Sequence, residues 1–163
     1  MNKAEIYEFL KSNDIWHDIT EHAAVYHMSD LSETALPFPQ SDAKNLFVRD
    51  DKRRNYYLIT VMGDKRVNLK QFRQKNGTRP LSFASEHELM DLMGLIRGAV
   101  TPFGILNDTE CRIQCFLDAS FLNAPGLIGV HPNDNTATVY LKTTDLIHIL
   151  KEHGNSVHII QIE

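Results

Sequence analysis

Cysteine is scarce in this chain: Cys111 and Cys115 are the only two thiols among 163 residues. Two thiols make no disulfide framework and fall short of the four-ligand set of a structural zinc site. They border or lie in the strand-like run Arg112–Leu117, where they read as small buried or half-buried hydrophobes. The eight histidines include no pair at His-Glu-x-x-His spacing, so neither a metal nor another cofactor is expected. Long hydrophobic runs are missing too. Nothing approaches the roughly 20 apolar residues of a membrane span, and the opening stretch MNKAEIYEFLKSND is amphipathic, without the apolar core of a signal peptide. No membrane contact and a cytoplasmic location are therefore expected. Gly-x-Gly-x-x-Gly, the P-loop and the Gly-x-Ser-x-Gly elbow are all absent, which removes support for dinucleotide, nucleoside-triphosphate and serine-hydrolase readings.

What is present is the composition of a globular protein, 42% hydrophobic and 23% charged. The length suits one domain, 1–163, with one sizeable core. Net charge is −4, but it is unevenly spread: from Lys44 to Arg79 eleven basic residues stand against three acids, leaving six basic and eighteen acidic residues elsewhere. Such asymmetry can draw a polyanion to one face while the rest of the surface repels it.

Apolar spacing predicts a helix over Lys3–Lys11, a short strand over Trp16–Glu21, and a helix capped by Ser29 running to about Leu36, stopped by Pro37 and Pro39. Asn45–Arg49 and Tyr56–Met62 read as a hairpin joined by a charged turn. Asn68 can cap a helix through Gln74. Ser85-Glu86-His87-Glu88 is a capping box opening a helix to Met93. Further strands are expected over 112–118, 126–131, 136–141 and 157–162, with a helix capped by Thr143 or Thr144 between the last two. Hairpins outnumber βαβ units, which points to an α+β fold with one curved, mixed, mainly antiparallel sheet flanked by helices.

Three features carry the candidate chemistry. Lys44 stands at the entrance of a strand in Asp42-Ala43-Lys44-Asn45-Leu46-Phe47. Gly98-Ala99-Val100-Thr101-Pro102 is a stiff Gly-x-x-x-Pro loop able to present backbone donors to an oxygen-rich ligand. His131 closes a strand in Gly129-Val130-His131-Pro132-Asn133. In this order, and with the stretches Thr20–Tyr26, Lys44–Asp50, GAVTPFGILN at 98–107 and His131–Thr138, the chain resembles the YbaK/prolyl-tRNA-editing deacylase family. The likeness is greatest to its free-standing form, which hydrolyses alanine mischarged onto proline tRNA, and it runs over nearly the whole chain.

The resemblance implies a function: hydrolysis of the ester that joins an amino acid to the 3′ end of tRNA(Pro). It also implies roles. Lys44 would contact the terminal adenosine. Gly98 and the loop residues Ala99, Val100, Thr101 and Pro102 would hold the aminoacyl end. His131 would shape the pocket, either positioning the substrate or moving a proton, and His22 and Asn45 would stand at its rim. Leu31, with Phe47 or Phe103, would make the small pocket that admits alanine and excludes proline, in the manner of double-sieve editing. One methylene is worth only about 1–3 kcal/mol in such a pocket, so cysteine and serine remain rival substrates. A non-catalytic module that binds an aminoacyl end is the alternative from another class. The partner would be the acceptor end of tRNA(Pro), met by the basic segment 44–79, with transient help from prolyl-tRNA synthetase or an elongation factor.

Overall fold

The computed structural model describes residues 1–24 and 36–162. The expected helix from Ser29 and the expected pocket residue Leu31 lie outside the described residues. The elements in order are α1 (Lys3–Ser12), β1 (His17–Glu21), β2 (Ala43–Asp50), β3 (Tyr56–Met62), α2 (Leu69–Asn76), β4 (Leu81–Phe83), α3 (Glu86–Met93), β5 (Ile113–Asp118), β6 (Leu127–Val130), β7 (Ala137–Lys142), α4 (Thr143–His153) and β8 (Val157–Ile160).

Among the described residues the strands form two sheets rather than one. The smaller has the order β1-β7-β6 and is antiparallel throughout. The larger has the order β4-β2-β3-β5-β8: β2 pairs antiparallel with β3 and β4, while β3–β5 and β5–β8 are parallel. A parallel bridge between Asp42 and Gly129 joins β2 to β6 and links the two sheets. The mixed, mainly antiparallel α+β expectation therefore holds, with the division into two sheets as the refinement.

Strand alternation explains the two cores. On β2 and β3, Phe47, Tyr56 and Leu58 face one side, where they meet Ile128, Val130, Val139 and Leu141 of the smaller sheet together with Ile6, Leu10, Met93, Phe103 and Leu146. Leu46, Val48, Tyr57, Ile59 and Val61 face the other side and are covered by Phe72 of α2. Because β3 is buried on both faces, its sequence is a continuous apolar run rather than an alternating one.

Asn68 and Ser85 cap their helices as the sequence indicates, and Asn2 is a cap found in the structure. Asn2 and Ser85 make full capping boxes, Asn68 accepts from the Gln71 amide, and Gly77 and Gly94 end their helices in the left-handed region. Three expectations need correction. The cap of α4 is Lys142, without a side-chain bond; the Thr143 hydroxyl instead donates to the Phe121 carbonyl at 2.8 Å. Cys115 is buried, but Cys111 is exposed in the turn before β5, with φ +53°. The residues after Pro102 coil into a 3-10 helix, Pro102–Asn107, where a loop was expected.

Candidate active site

The register of the smaller sheet sorts its side chains. Ile19, Val139, Ile128 and Val130 point into the core, so Asp18, Thr20, Thr138, Tyr140 and Gly129 lie on the outer face. His22 continues that face beyond β1, its amide bonding the Thr136 carbonyl at 2.9 Å. Its ring Nε2 meets the Thr138 hydroxyl at 2.9 Å and its Nδ1 the Ala23 carbonyl at 2.8 Å. His131 follows β6, with Nδ1 2.8 Å from the Ala137 carbonyl. The two rings are 6.0 Å apart, inclined at 63°, near Thr138. A carbonyl accepts only, so each Nδ1 must carry the proton. In the neutral ring this leaves Nε2 of His131 as an acceptor, and Nε2 of His22 accepts from Thr138. Burial is the largest influence on His131 and holds its imidazole below the usual range, keeping it neutral near pH 7.

The Gly-x-x-x-Pro loop is anchored to this histidine. Gly98 takes φ +90°, a conformation open to glycine and costly for other residues. Ala99 is buried, and its amide bonds the Ile96 carbonyl at 3.1 Å. Thr101 is fully buried; its hydroxyl donates to the His131 carbonyl at 2.6 Å and accepts from the Phe103 amide at 3.4 Å, so one side chain caps the 3-10 helix and ties the loop to β6. Gly104 packs so tightly that a Cβ there would lie 2.6 Å from Leu95 Cδ1. Among the described residues, the amides of Gly98 and Val100 donate to no acceptor.

Lys44 reaches the same face through the joint between the sheets. Residues paired by a bridge share a face, so Asp42 lies on the side of Gly129 and Tyr140, and Lys44, two residues on, shares it. The Lys44 ammonium donates to the Lys65 carbonyl at 3.2 Å. The joint is closely built: the Tyr140 hydroxyl donates to Asp42 Oδ1, Phe38 packs edge-on against the Tyr140 ring at 5.3 Å, and Tyr140 and Asp42 crowd Gly129, where a Cβ would lie 2.4 Å from the ring. Burial raises the Asp42 carboxyl to about 6 against the opposing influence of the Tyr140 hydrogen bond and of His22.

Not every expected site residue joins this cluster. Asn45 is turned to the opposite face of β2, where its carbonyl oxygen accepts from the Thr60 hydroxyl at 2.6 Å. Phe103 and Phe47 sit in the main core at 0% and 5% exposure, so their rings are occupied by packing. Pro102 is buried as the first residue of the 3-10 helix.

Sequence reading missed the second layer. Lys3 of α1 donates to the Thr136 hydroxyl at 2.9 Å and pairs with Glu21, which also accepts from the Tyr7 hydroxyl at 2.9 Å. Asn133 donates to the Met1 carbonyl at 2.8 Å. Helix α1 thus straps both the end of β1 before His22 and the turn after His131. No local signal marks it, since Thr136 and Asn133 lie more than a hundred residues from their partners in the chain. Among the described residues, no group of three or more His, Cys, Asp or Glu could hold a metal ion, and no helix is long and apolar enough to cross a membrane.

Two histidines and a lysine on one sheet face, with a glycine loop anchored to one of the histidines, are the candidate site. Residues 22–149 match the model of the aminoacyl-tRNA editing domain. The chain is 37% identical over 146 residues to the prolyl-tRNA editing protein ProX of Acetoanaerobium sticklandii, covering 90% of this chain and 88% of the relative. It is 27% identical over 164 residues to prolyl-tRNA synthetase associated domain-containing protein 1 of Mus musculus, covering 99% and 96%. The fold matches the crystal structure of a protein proposed to be a trans-editing enzyme for prolyl tRNA synthetase, at TM-score 0.75 and 17% identity, over 100% of this chain and 98% of the other. The matched span contains all three elements of the site, Lys44, the loop from Gly98 and His131, and the chain belongs to the aminoacyl-tRNA editing domain family, a family of aminoacyl-tRNA deacylases.

Proposed function

We propose that this protein is a trans-editing deacylase that releases alanine from mischarged tRNA(Pro), with Lys44, the Gly98–Pro102 loop and His131 as its working parts and His22 beside them. The observation that supports the reading is the Thr101–His131 anchor, a 2.6 Å hydrogen bond that ties the loop to the residue whose ring stands beside His22.

An aminoacyl ester is already activated, so its hydrolysis needs an oriented water and stabilisation of the oxyanion that forms as water adds to the carbonyl. The amides of Gly98 and Val100, without an acceptor among the described residues, would supply that stabilisation; one such donor is typically worth about 2.7–4 kcal/mol. Lys44, a compact positive charge, holds a phosphate or ribose oxygen of the terminal adenosine. The neutral His131 offers Nε2 as an acceptor for a substrate hydroxyl or the water, which orients the reactants without a covalent intermediate. His22, fixed by Thr138, closes the side of the site facing β1. The whole chain, 1–163, acts as one editing domain.

Double-sieve logic favours alanine: it is smaller than proline, and a synthetase pocket built for proline excludes it poorly. The test is deacylation of alanyl-, cysteinyl-, seryl- and prolyl-tRNA(Pro), with alanyl-tRNA(Ala) alongside. Preferential release of alanine from tRNA(Pro) supports the proposal. Preferential release of cysteine or serine would move the specificity, and binding of a non-hydrolysable aminoacyl-adenosine without turnover would replace the enzyme reading by a binding module.

A further inference from the structure

A groove of about 300 Å³ runs between α2 and the end of β8, on the sheet face that carries Lys44. Its floor is apolar, made by Phe72 and Ile162 among others, and its rim carries Arg66, Lys75, Gln71 and Gln161. Among the described residues, no carboxylate lines it.

Some cations of the basic segment are spoken for and others are not. Arg49 pairs with Glu88, Lys65 with Asp118 and Arg79 with Asp51. Among the described residues, Arg66, Lys70, Arg73 and Lys75 have no side-chain hydrogen bond or ion pair, and all four are exposed. Asp64 is the acid nearest in sequence, and α2 has none. Basic and amide groups around an apolar floor suit a nucleotide chain: phosphates at the rim, a base or ribose against the floor.

The groove also connects to the site. Lys44 bonds the carbonyl of Lys65, the residue before Arg66, and the Lys65 ammonium donates to the carbonyl of Ile162 at 2.7 Å. One lysine therefore ties the turn beside Lys44 to the groove wall, so the two are neighbours along one surface.

We propose that this groove binds the single-stranded nucleotides preceding the terminal adenosine of the RNA substrate, gripping their phosphates through Arg66 and Lys75. This rests on the deacylase reading of the adjacent site. A chain whose last residue sits at Lys44 would continue past Lys65 into the groove, which would make nucleic-acid affinity depend on α2 as well as on the catalytic face.

The test compares wild type, the double variant Arg66→Ala/Lys75→Ala, and the charge-keeping double variant Arg66→Lys/Lys75→Arg. Fluorescence anisotropy reads binding of an uncharged RNA minihelix ending in single-stranded CCA, and a blunt minihelix lacking that end serves as comparison. The alanine pair is expected to weaken binding of the CCA-ended RNA about tenfold, to lower the salt dependence by roughly 0.7 per lost contact on a log–log plot, and to leave the blunt RNA nearly unaffected. The charge-keeping pair is expected to bind as wild type does. Equal affinity of wild type and alanine pair for the CCA-ended RNA would overturn the proposal, as would an equal loss on both RNAs. In deacylation, the alanine pair is expected to raise KM for aminoacyl-tRNA about tenfold with kcat within twofold. Absence of turnover by wild type would remove the deacylase reading instead, and the anisotropy result would still decide the groove.

Discussion

Gly129→Ala tests the joint on which the site is built. Gly129 has no positive φ, so alanine is tolerated by the backbone and the cost is one of space. An added Cβ would lie 2.4 and 2.9 Å from two carbons of the Tyr140 ring and 3.1 Å from Asp42 Oδ1. The ring cannot easily retreat: Tyr140 is fully buried, packed against Phe38 and bonded to Asp42. Overpacking of this kind costs about 1–3 kcal/mol, and weakening a hydrogen bond to a charged group adds about 1.5–3 kcal/mol. Loss of unfolded-chain freedom returns about 0.4–1 kcal/mol. The net expectation is destabilisation of about 2–5 kcal/mol. In urea, at a slope of about 2 kcal/mol per molar, the midpoint should fall by about 1–2.5 M with the slope unchanged. Tyr140→Ala should cost several kcal/mol alone, yet the pair should be less destabilised than the sum of the singles, because the cavity accepts the methyl group. A Gly129→Ala change below about 0.5 kcal/mol, or strict additivity with Tyr140→Ala, would refute the close-packed joint.

Other outcomes follow from the same geometry. The Asp42 carboxyl titrates near 6 in the folded protein and near 3.8 when free, so the folded state holds the proton more tightly and wild-type stability falls as pH rises from about 4 through about 6. Asp42→Asn, which keeps an acceptor for Tyr140, should match wild type near pH 4 and exceed it by about 1–3 kcal/mol at pH 7; a difference that is flat across this range in parallel denaturation curves would contradict the assignment. Thr101→Val removes the hydroxyl bonded to His131, and should cost about 1–2 kcal/mol while lowering kcat for deacylation by about tenfold; a stability loss with kcat unchanged would show that the anchor does not position the loop. Phe103→Ala should destabilise by about 3–5 kcal/mol, as a core residue does, and a thermal melt within a few degrees of wild type would return Phe103 to the pocket.

The parts of the fold that the sequence made legible are those set by neighbours in the chain. Asn68 and Ser85 announce their helices because a cap acts within three residues, and β2 and β3 stand out as apolar runs flanking a charged turn. Strand β4 was missed because Leu81 is half-buried while Ser82 and Phe83 are exposed, which gives no alternation to detect. The Thr143 cap failed because tertiary contact with Phe121 claimed the hydroxyl. At the site, Lys44, the glycine loop and His131 were legible as motifs. The face shared by Lys44 and His131 was not, since it depends on the β1-β7-β6 register and on the bridge between Asp42 and Gly129. Asp42 and Thr138 lie in the motif stretches but had no role read from them, and Tyr140 lies in none; all three come next to the candidate site only when strands distant in sequence are placed side by side. Asn45 shows the converse: adjacent to Lys44 in sequence, it faces the other way because successive strand residues alternate.

The most direct test of the central claim is single-turnover deacylation of alanyl-tRNA(Pro) by wild type and by Lys44→Ala, with the fold of the variant checked by its urea midpoint. The account expects rapid release of alanine by wild type, and at least a hundredfold slower release by a variant whose midpoint is unchanged. Release at the wild-type rate by a folded Lys44→Ala protein would contradict it.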